Sequence, residues 1–157
     1  SITDQDLCKL TRELFDFVII STGMSTECEI EKAVKDSNPD VIMHTNSTYP
    51  CLPAELNLRY IEHLKQKYPS KEIGYSGHEQ KLSTTIAAQV LGVTWIERHF
   101  TLDKSMWGSD QSSSIDPTEL KELIESVKDV QDAMQYPPGP RIQFEKENVK
   151  KRSLRKL

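Results

Sequence analysis

At 157 residues, with 36% hydrophobic and 28% charged side chains, the chain has a single-domain length and enough apolar material for one core. A formal net charge of −4, with acids and bases mixed along the chain, argues against nucleic acid as the main partner; the one basic run, "KKRSLRK", reads as a solvated terminal tail. No apolar run approaches the roughly 18 residues of a membrane span and no signal peptide is visible, so no membrane partner is expected.

The first segment, "TDQDLCKLTRELF", carries Leu7, Leu10, Thr11 and Leu14 at helical spacing, with Thr3 and Asp6 placed as a capping box. A strand over 17–21 follows, then a helix in "STECEIEKAVKD" with a second box at Thr26 and Glu29. The spacing predicts a strand over 40–45, a helix in "NLRYIEHLKQKY", a strand over 72–76 and a helix in "LSTTIAAQVL" closed by Gly92. A fourth strand spans 94–99, and a final helix opens at Asp116 with Pro117 in its first turn and Glu119 completing the box. It ends near Met134, before "YPPGPR", which cannot continue a helix.

Short strands alternating with helices of ten or more residues mean βα units and a parallel sheet, covered on both faces or closed into a barrel. Four units are too few for a complete eight-unit barrel, which needs about 250 residues; an open flavodoxin-like sheet is the alternative at this length. Cys8, Cys28 and Cys51 are odd in number and lack a CxxC pattern, so each reads as a small buried apolar group in a reducing cytoplasm.

Each strand ends in a polar cluster: "STGMST", "HTNSTYP", "YSGHE" and "ERHFTLD". In parallel α/β folds that edge is where sites form, because loops and helix N-termini converge there. His78 and His99 occupy equivalent positions after consecutive strands, and two neutral imidazoles at one point are a common ligand pair for a divalent metal. His44, before a strand end, reads as structural, and His63, on a helix, as a surface residue. Ser21, Ser47, Ser76 and Asn46 stand where hydroxyls and helix N-termini build phosphate cradles, although each alone also fits a cap or turn.

The set "VIISTGMST", "HTNSTYP", "IGYSGHE", "IERHFTLDKSMWGSDQSSSIDP" and the late "KKRSLRK" resembles the sialic acid synthase (N-acetylneuraminate synthase) family in order, spacing and strand-end placement. The resemblance implies the C-terminal half of a TIM (β/α)8 barrel in residues 1–136, followed by a C-terminal tail in 137–157. It implies condensation of phosphoenolpyruvate with N-acetylmannosamine or a related amino sugar, releasing phosphate. His78 and His99 then become the ligands of Mn2+ or Mg2+, and Ser21, Ser47 and Ser76, with Asn46 beside them, contact phosphoenolpyruvate. Tyr49 and Asp110 face the amino sugar. Gly77 stands where many bacterial members have Asp, which leaves open what supports His78.

Matched to the family, Ser1 falls just after the fourth barrel strand, so the catalytic glutamate and phosphate-binding lysines belong to the preceding half. The expectation is a partial enzyme, inactive alone, that forms a homo-oligomer by closing one barrel from two halves. A non-catalytic self-associating fragment or a phosphate- or metal-binding module is the alternative. A metal hydrolase is a third reading and would need Glu79 or Glu97 as a further ligand or base.

Overall fold

A computed structural model of the chain describes residues 2–136; the predicted tail and its basic run lie outside the described residues. Helix α1 (Gln5–Leu14) leads into β1 (Ile19–Ser21), and α2 (Glu27–Ser37) into β2 (Val41–Thr45). They are followed by α3 (Tyr60–Lys67), β3 (Glu72–Gly77), α4 (Leu82–Val90), β4 (Trp95–Arg98) and α5 (Pro117–Met134). The four strands pair in parallel in the order β1-β2-β3-β4, the sequential arrangement the βα pattern predicts.

Side chains alternate across the sheet, so each strand feeds two different environments. Ile20, Ile42, Ile73, Tyr75 and Ile96 point to the helix side. There they pack with Ile30 and Ala33 of α2, Ile61 and Leu64 of α3 and Ala88 of α4. Ile42, Ile61 and Leu64 are fully buried, each contributing about 1.5–3 kcal/mol of transfer free energy. A single helix cap contributes about 1 kcal/mol, so packing of this face decides the architecture and the caps only trim its ends. The other face carries Ile19, Val41, Met43, Gly74 and Trp95 in successive register positions. On it Ile19 and Trp95 stay exposed, and the Phe17 and Trp95 rings meet at 5.4 Å.

Two of the three predicted capping boxes form, at Thr26/Glu29 and Asp116/Glu119. At α1 the cap is Asp4, whose carboxylate accepts from the Leu7 N–H at 3.0 Å. The helix therefore starts one residue later than a Thr3 cap requires, and Asp6 cannot close a box. Helix α3 is shorter than predicted because Asn57 adopts φ 44°, which ends the 3-10 turn at Pro53–Glu55 and delays the helix to Tyr60. Gly92, at φ 89°, closes α4 as expected.

Cys8 and Cys51 are buried, but Cys28 is exposed. The buried stripe of α2 is Ile30, Ala33 and Ser37, and two residues along a helix is a turn of about 200°, which places Cys28 on the opposite side. Leu7, Leu10 and Leu14 follow helical spacing as predicted yet remain exposed, while the buried residue of α1 is Cys8.

Candidate metal and substrate site

The histidines lie one residue beyond the end of the sheet. The β3–β4 ladder ends at the pair Gly77↔Arg98, so His78 and His99 are the next residue on each strand and project to the same face. Their ring centroids are 5.2 Å apart with planes inclined at 56°. His78 is 4% exposed, and its Nδ1 is 2.5 Å from the Asn46 carbonyl oxygen. A carbonyl only accepts, so Nδ1 carries the proton and Nε2 presents its lone pair. Burial, reinforced by the neighbouring His99, holds the His78 imidazole below its usual range, which favours the neutral ring.

Tyr49 covers this pair. Its ring stacks on His78 at 4.1 Å between centroids and meets His99 edge-on at 5.4 Å. The phenol donates to His78 Nε2 at 2.9 Å. Burial, then the charges of Asp110 and Glu97, push the phenol pKa upward, so it stays protonated and able to donate. Tyr49 itself is 41% exposed, so the cluster opens to solvent on that side.

The remaining predicted residues divide between this edge and the loops. Ser76 donates to Glu97 at 2.7 Å across the β3–β4 register, on the face of the histidines. Ser47 packs against Gly23, where even a Cβ would lie 2.1 Å from the serine Oγ. Ser21 is exposed at the end of β1. The Asn46 side chain is taken up within its loop, donating to Glu55 O at 2.9 Å and accepting from the Thr48 N–H at 2.9 Å. What Asn46 gives the site is its carbonyl, which orients His78. Asp110 accepts from Ser109 at 2.8 Å, and its backbone carbonyl holds Ser113 and Ser114. An apolar cleft beside β1, lined by Ile2, Cys8, Val18 and Ile20, reaches Ser21 but none of the residues around His78.

His44 and His63 fall as read from the sequence: His44 is buried on the helix side and donates to Leu56 O at 2.7 Å, and His63 is half-exposed beside Glu27. Glu79 takes no part in the imidazole cluster. It is 1% exposed, and its carboxylate receives Tyr75 at 2.9 Å, Thr85 at 2.6 Å and Thr84 at 3.0 Å, with Arg98 at 3.4 Å. Glu97 pairs with Ser76 rather than Arg98, because successive residues of β4 face opposite sides of the sheet. The hydrolase reading thereby loses Glu79 as a base or ligand. Sequence reasoning missed the Glu79–Arg98 pair and the Asn46 carbonyl; adjacency of Glu79 to His78 and of Arg98 to His99 was the available signal.

These residues fit a divalent metal as a two-histidine contribution. The Asn46 carbonyl sets the His78 tautomer, burial favours its neutral ring, and a second imidazole stands alongside. Among the described residues no group of three or more His, Cys, Asp or Glu could hold an ion, so a metal here would need further ligands from substrate, water or groups elsewhere. Among them, too, no helix is long and apolar enough to cross a membrane.

Residues 1–137 match the sequence profile of the NeuB family. The chain is 41% identical over 124 residues to N-acetylneuraminate-9-phosphate synthase of Homo sapiens, covering 76% of this chain and 34% of that protein. It is 36% identical over 141 residues to N,N'-diacetyllegionaminic acid synthase of Campylobacter jejuni, covering 85% and 42%. The fold superposes on N-acetylneuraminic acid (sialic acid) synthetase of Leptospira borgpetersenii with a TM-score of 0.84 and 29% identity, covering 99% of this chain and 56% of that one. The four βα units are thus about half of a TIM-barrel fold, and the chain spans about a third to two fifths of the curated relatives it matches.

Proposed function

The chain belongs to the NeuB family, and from that premise we propose that it supplies the metal site and part of the substrate cradle of a nonulosonic acid synthase. The reaction joins the methylene carbon of phosphoenolpyruvate to the aldehyde carbon of N-acetylmannosamine or a related amino sugar, and phosphate leaves after water adds at C2. The observation that carries this reading is the convergence of His78 and His99 at 5.2 Å beyond two adjacent strand ends.

His78 and His99 would hold Mn2+ or Mg2+, whose charge supplies Lewis-acid polarisation of the sugar aldehyde oxygen. The Asn46 carbonyl keeps the His78 proton on Nδ1, so the ring presents a lone pair rather than a second N–H. Ser21 and Ser47 would offer hydroxyls to the phosphate or carboxylate of phosphoenolpyruvate, Ser76 would do so on release from Glu97, and Tyr49 and Asp110 would face the amino sugar. Holding two substrates in register accounts for much of the barrier of such a condensation. A reducing cytoplasm suits the three free cysteines.

We further propose that the chain self-associates as a two-fold dimer closing one eight-stranded barrel. In the described residues β1 and β4 each pair with one neighbour only. Ile19, Phe17 and Trp95 and the Leu7, Leu10 and Leu14 stripe leave apolar surface exposed. Sedimentation at micromolar concentration tests this, and a stable folded monomer refutes it.

Phosphate release from phosphoenolpyruvate and N-acetylmannosamine tests the function. This chain alone should show no turnover. Co-expression with the first four βα units of a relative should give turnover that His78→Ala removes. Complemented turnover indifferent to His78→Ala would contradict the assignment, and turnover by the chain alone would show that it carries a complete site rather than part of one.

A further inference from the structure

The ladder stops at Gly77↔Arg98, one residue short of each histidine, so the sheet sets the face the imidazoles share and leaves their separation and tilt to the contacts that hold residues 78 and 99. The His78 carbonyl accepts from Cys51 N at 3.2 Å and the His99 carbonyl from Ile115 N at 2.7 Å, so each is tied to a loop on its own side. Two pairs of side chains cross between the two strand ends: Ser76 with Glu97, two residues before each histidine, and, next to the histidines themselves, Glu79, which follows His78, with Arg98, which precedes His99.

The arrangement around this pair is closed and specific. Both side chains are 2% exposed. Arg98 donates to the Glu79 backbone carbonyl as well as its carboxylate, to Thr85 Oγ1 at 2.8 Å and to Ser113 O at 3.5 Å. The Thr85 hydroxyl accepts from Arg98 and donates to Glu79, and so bridges the two charges. Gly77 makes the room: a Cβ there would lie 2.7 Å from Glu79 Oε2, 2.9 Å from the Tyr75 ring and 3.1 Å from Arg98 Cδ.

A buried ion pair is weak evidence for stability, since desolvation offsets much of the attraction. Here the Arg98 Nε is also buried without a partner, a further cost. What such a pair supplies without question is geometry, because the fork of a guanidinium fixes direction as well as distance.

We propose that Glu79 and Arg98 are positioning residues that set the separation and tilt of the His78 and His99 imidazoles. This rests on the metal-site reading only for its consequence, since the separation exists in the chain itself. A part that merely stabilised the fold would change melting and leave the rings of the folded protein in place.

The test uses the full chain, with the NMR contact between the two imidazole rings, Mn2+ affinity from the electron paramagnetic resonance of free Mn2+, and thermal melting read side by side. Glu79→Gln, which keeps size and one acceptor oxygen but turns the other into an amide donor and removes the charge, should melt cooperatively, lose the His78–His99 ring contact and bind Mn2+ at least about tenfold more weakly. Asp116→Ala, which removes the α5 cap, should lower melting and leave ring contact and affinity unchanged. If Glu79→Gln fails to fold, Thr85→Val, lacking only the bridging hydroxyl, is read the same way with a severalfold loss expected. Ring contact and affinity equal to wild type in the folded variant overturn the proposal. Should wild type bind no Mn2+, the metal reading fails, and the ring contact still decides whether the pair positions the imidazoles.

Discussion

Tyr49→Phe should strengthen Mn2+ binding. The phenol donates to His78 Nε2 at 2.9 Å, and that lone pair is the one a metal needs, because Nδ1 is committed to the Asn46 carbonyl. A cation can use Nε2 only after the hydroxyl lets go. A hydrogen bond of this kind is worth about 0.5–1.5 kcal/mol net, so removing the oxygen should tighten Mn2+ binding by about 2- to 13-fold. Phe keeps the ring stacked on His78, so packing changes little. Titration of wild type and variant against Mn2+, with the free ion followed by paramagnetic resonance, reads the ratio directly. Equal or weaker binding by the variant would refute the competition and indicate that the phenol helps to hold the ion.

Gly74→Ala should destabilise the chain by about 1–3 kcal/mol, seen as a lower urea midpoint. The new Cβ would lie 2.2 Å from the flexible end of Met43, which can yield, and 2.9 Å from Trp95 Cβ, which cannot. Asp116→Ala should cost about 1 kcal/mol through loss of the cap on Glu119 N, with no change in unfolding slope. Stability should fall on acidification. His44, 6% exposed, has its pKa lowered by burial, and its Nδ1 has no partner; His78 is lowered in the same direction. Below the ordinary imidazole value of about 6.5 the unfolded chain takes up protons first, so stability held at higher pH is lost until the folded pKa values are reached. Each histidine adds a slope of up to about 1.4 kcal/mol per pH unit. In His44→Gln, urea midpoints between pH 7.5 and 5 should fall less steeply than in wild type; an unchanged slope would count against the buried neutral His44.

The sequence made the sheet order and the histidine pair legible for the same reason: both depend on local periodicity. His78 and His99 occupy equivalent places after consecutive strands, so recognising the strands brings the rings together. Thr26/Glu29 and Asp116/Glu119 were readable because a capping box lies within four residues. The exposed Leu7, Leu10 and Leu14 show the limit of that reasoning, since spacing identifies a stripe and not what covers it. The Asn46 carbonyl could not be seen, because every residue has one and only the loop's path aims it at His78. Arg98 chooses Glu79 over the adjacent Glu97 because alternation turns Glu97 to the other face and Gly77 leaves a gap. That choice needs the packing of β3, β4 and α4 together.

The most direct test of the account is a histidine-ring NMR titration of this chain with Mn2+, whose paramagnetism broadens the nearest signals first. The rings of His78 and His99 should broaden together at the lowest additions, with His44, buried on the helix side, and His63, beside Glu27, following only at higher additions. Broadening that begins at His63, or that leaves His78 and His99 sharp, would contradict the metal site on which the proposed function stands.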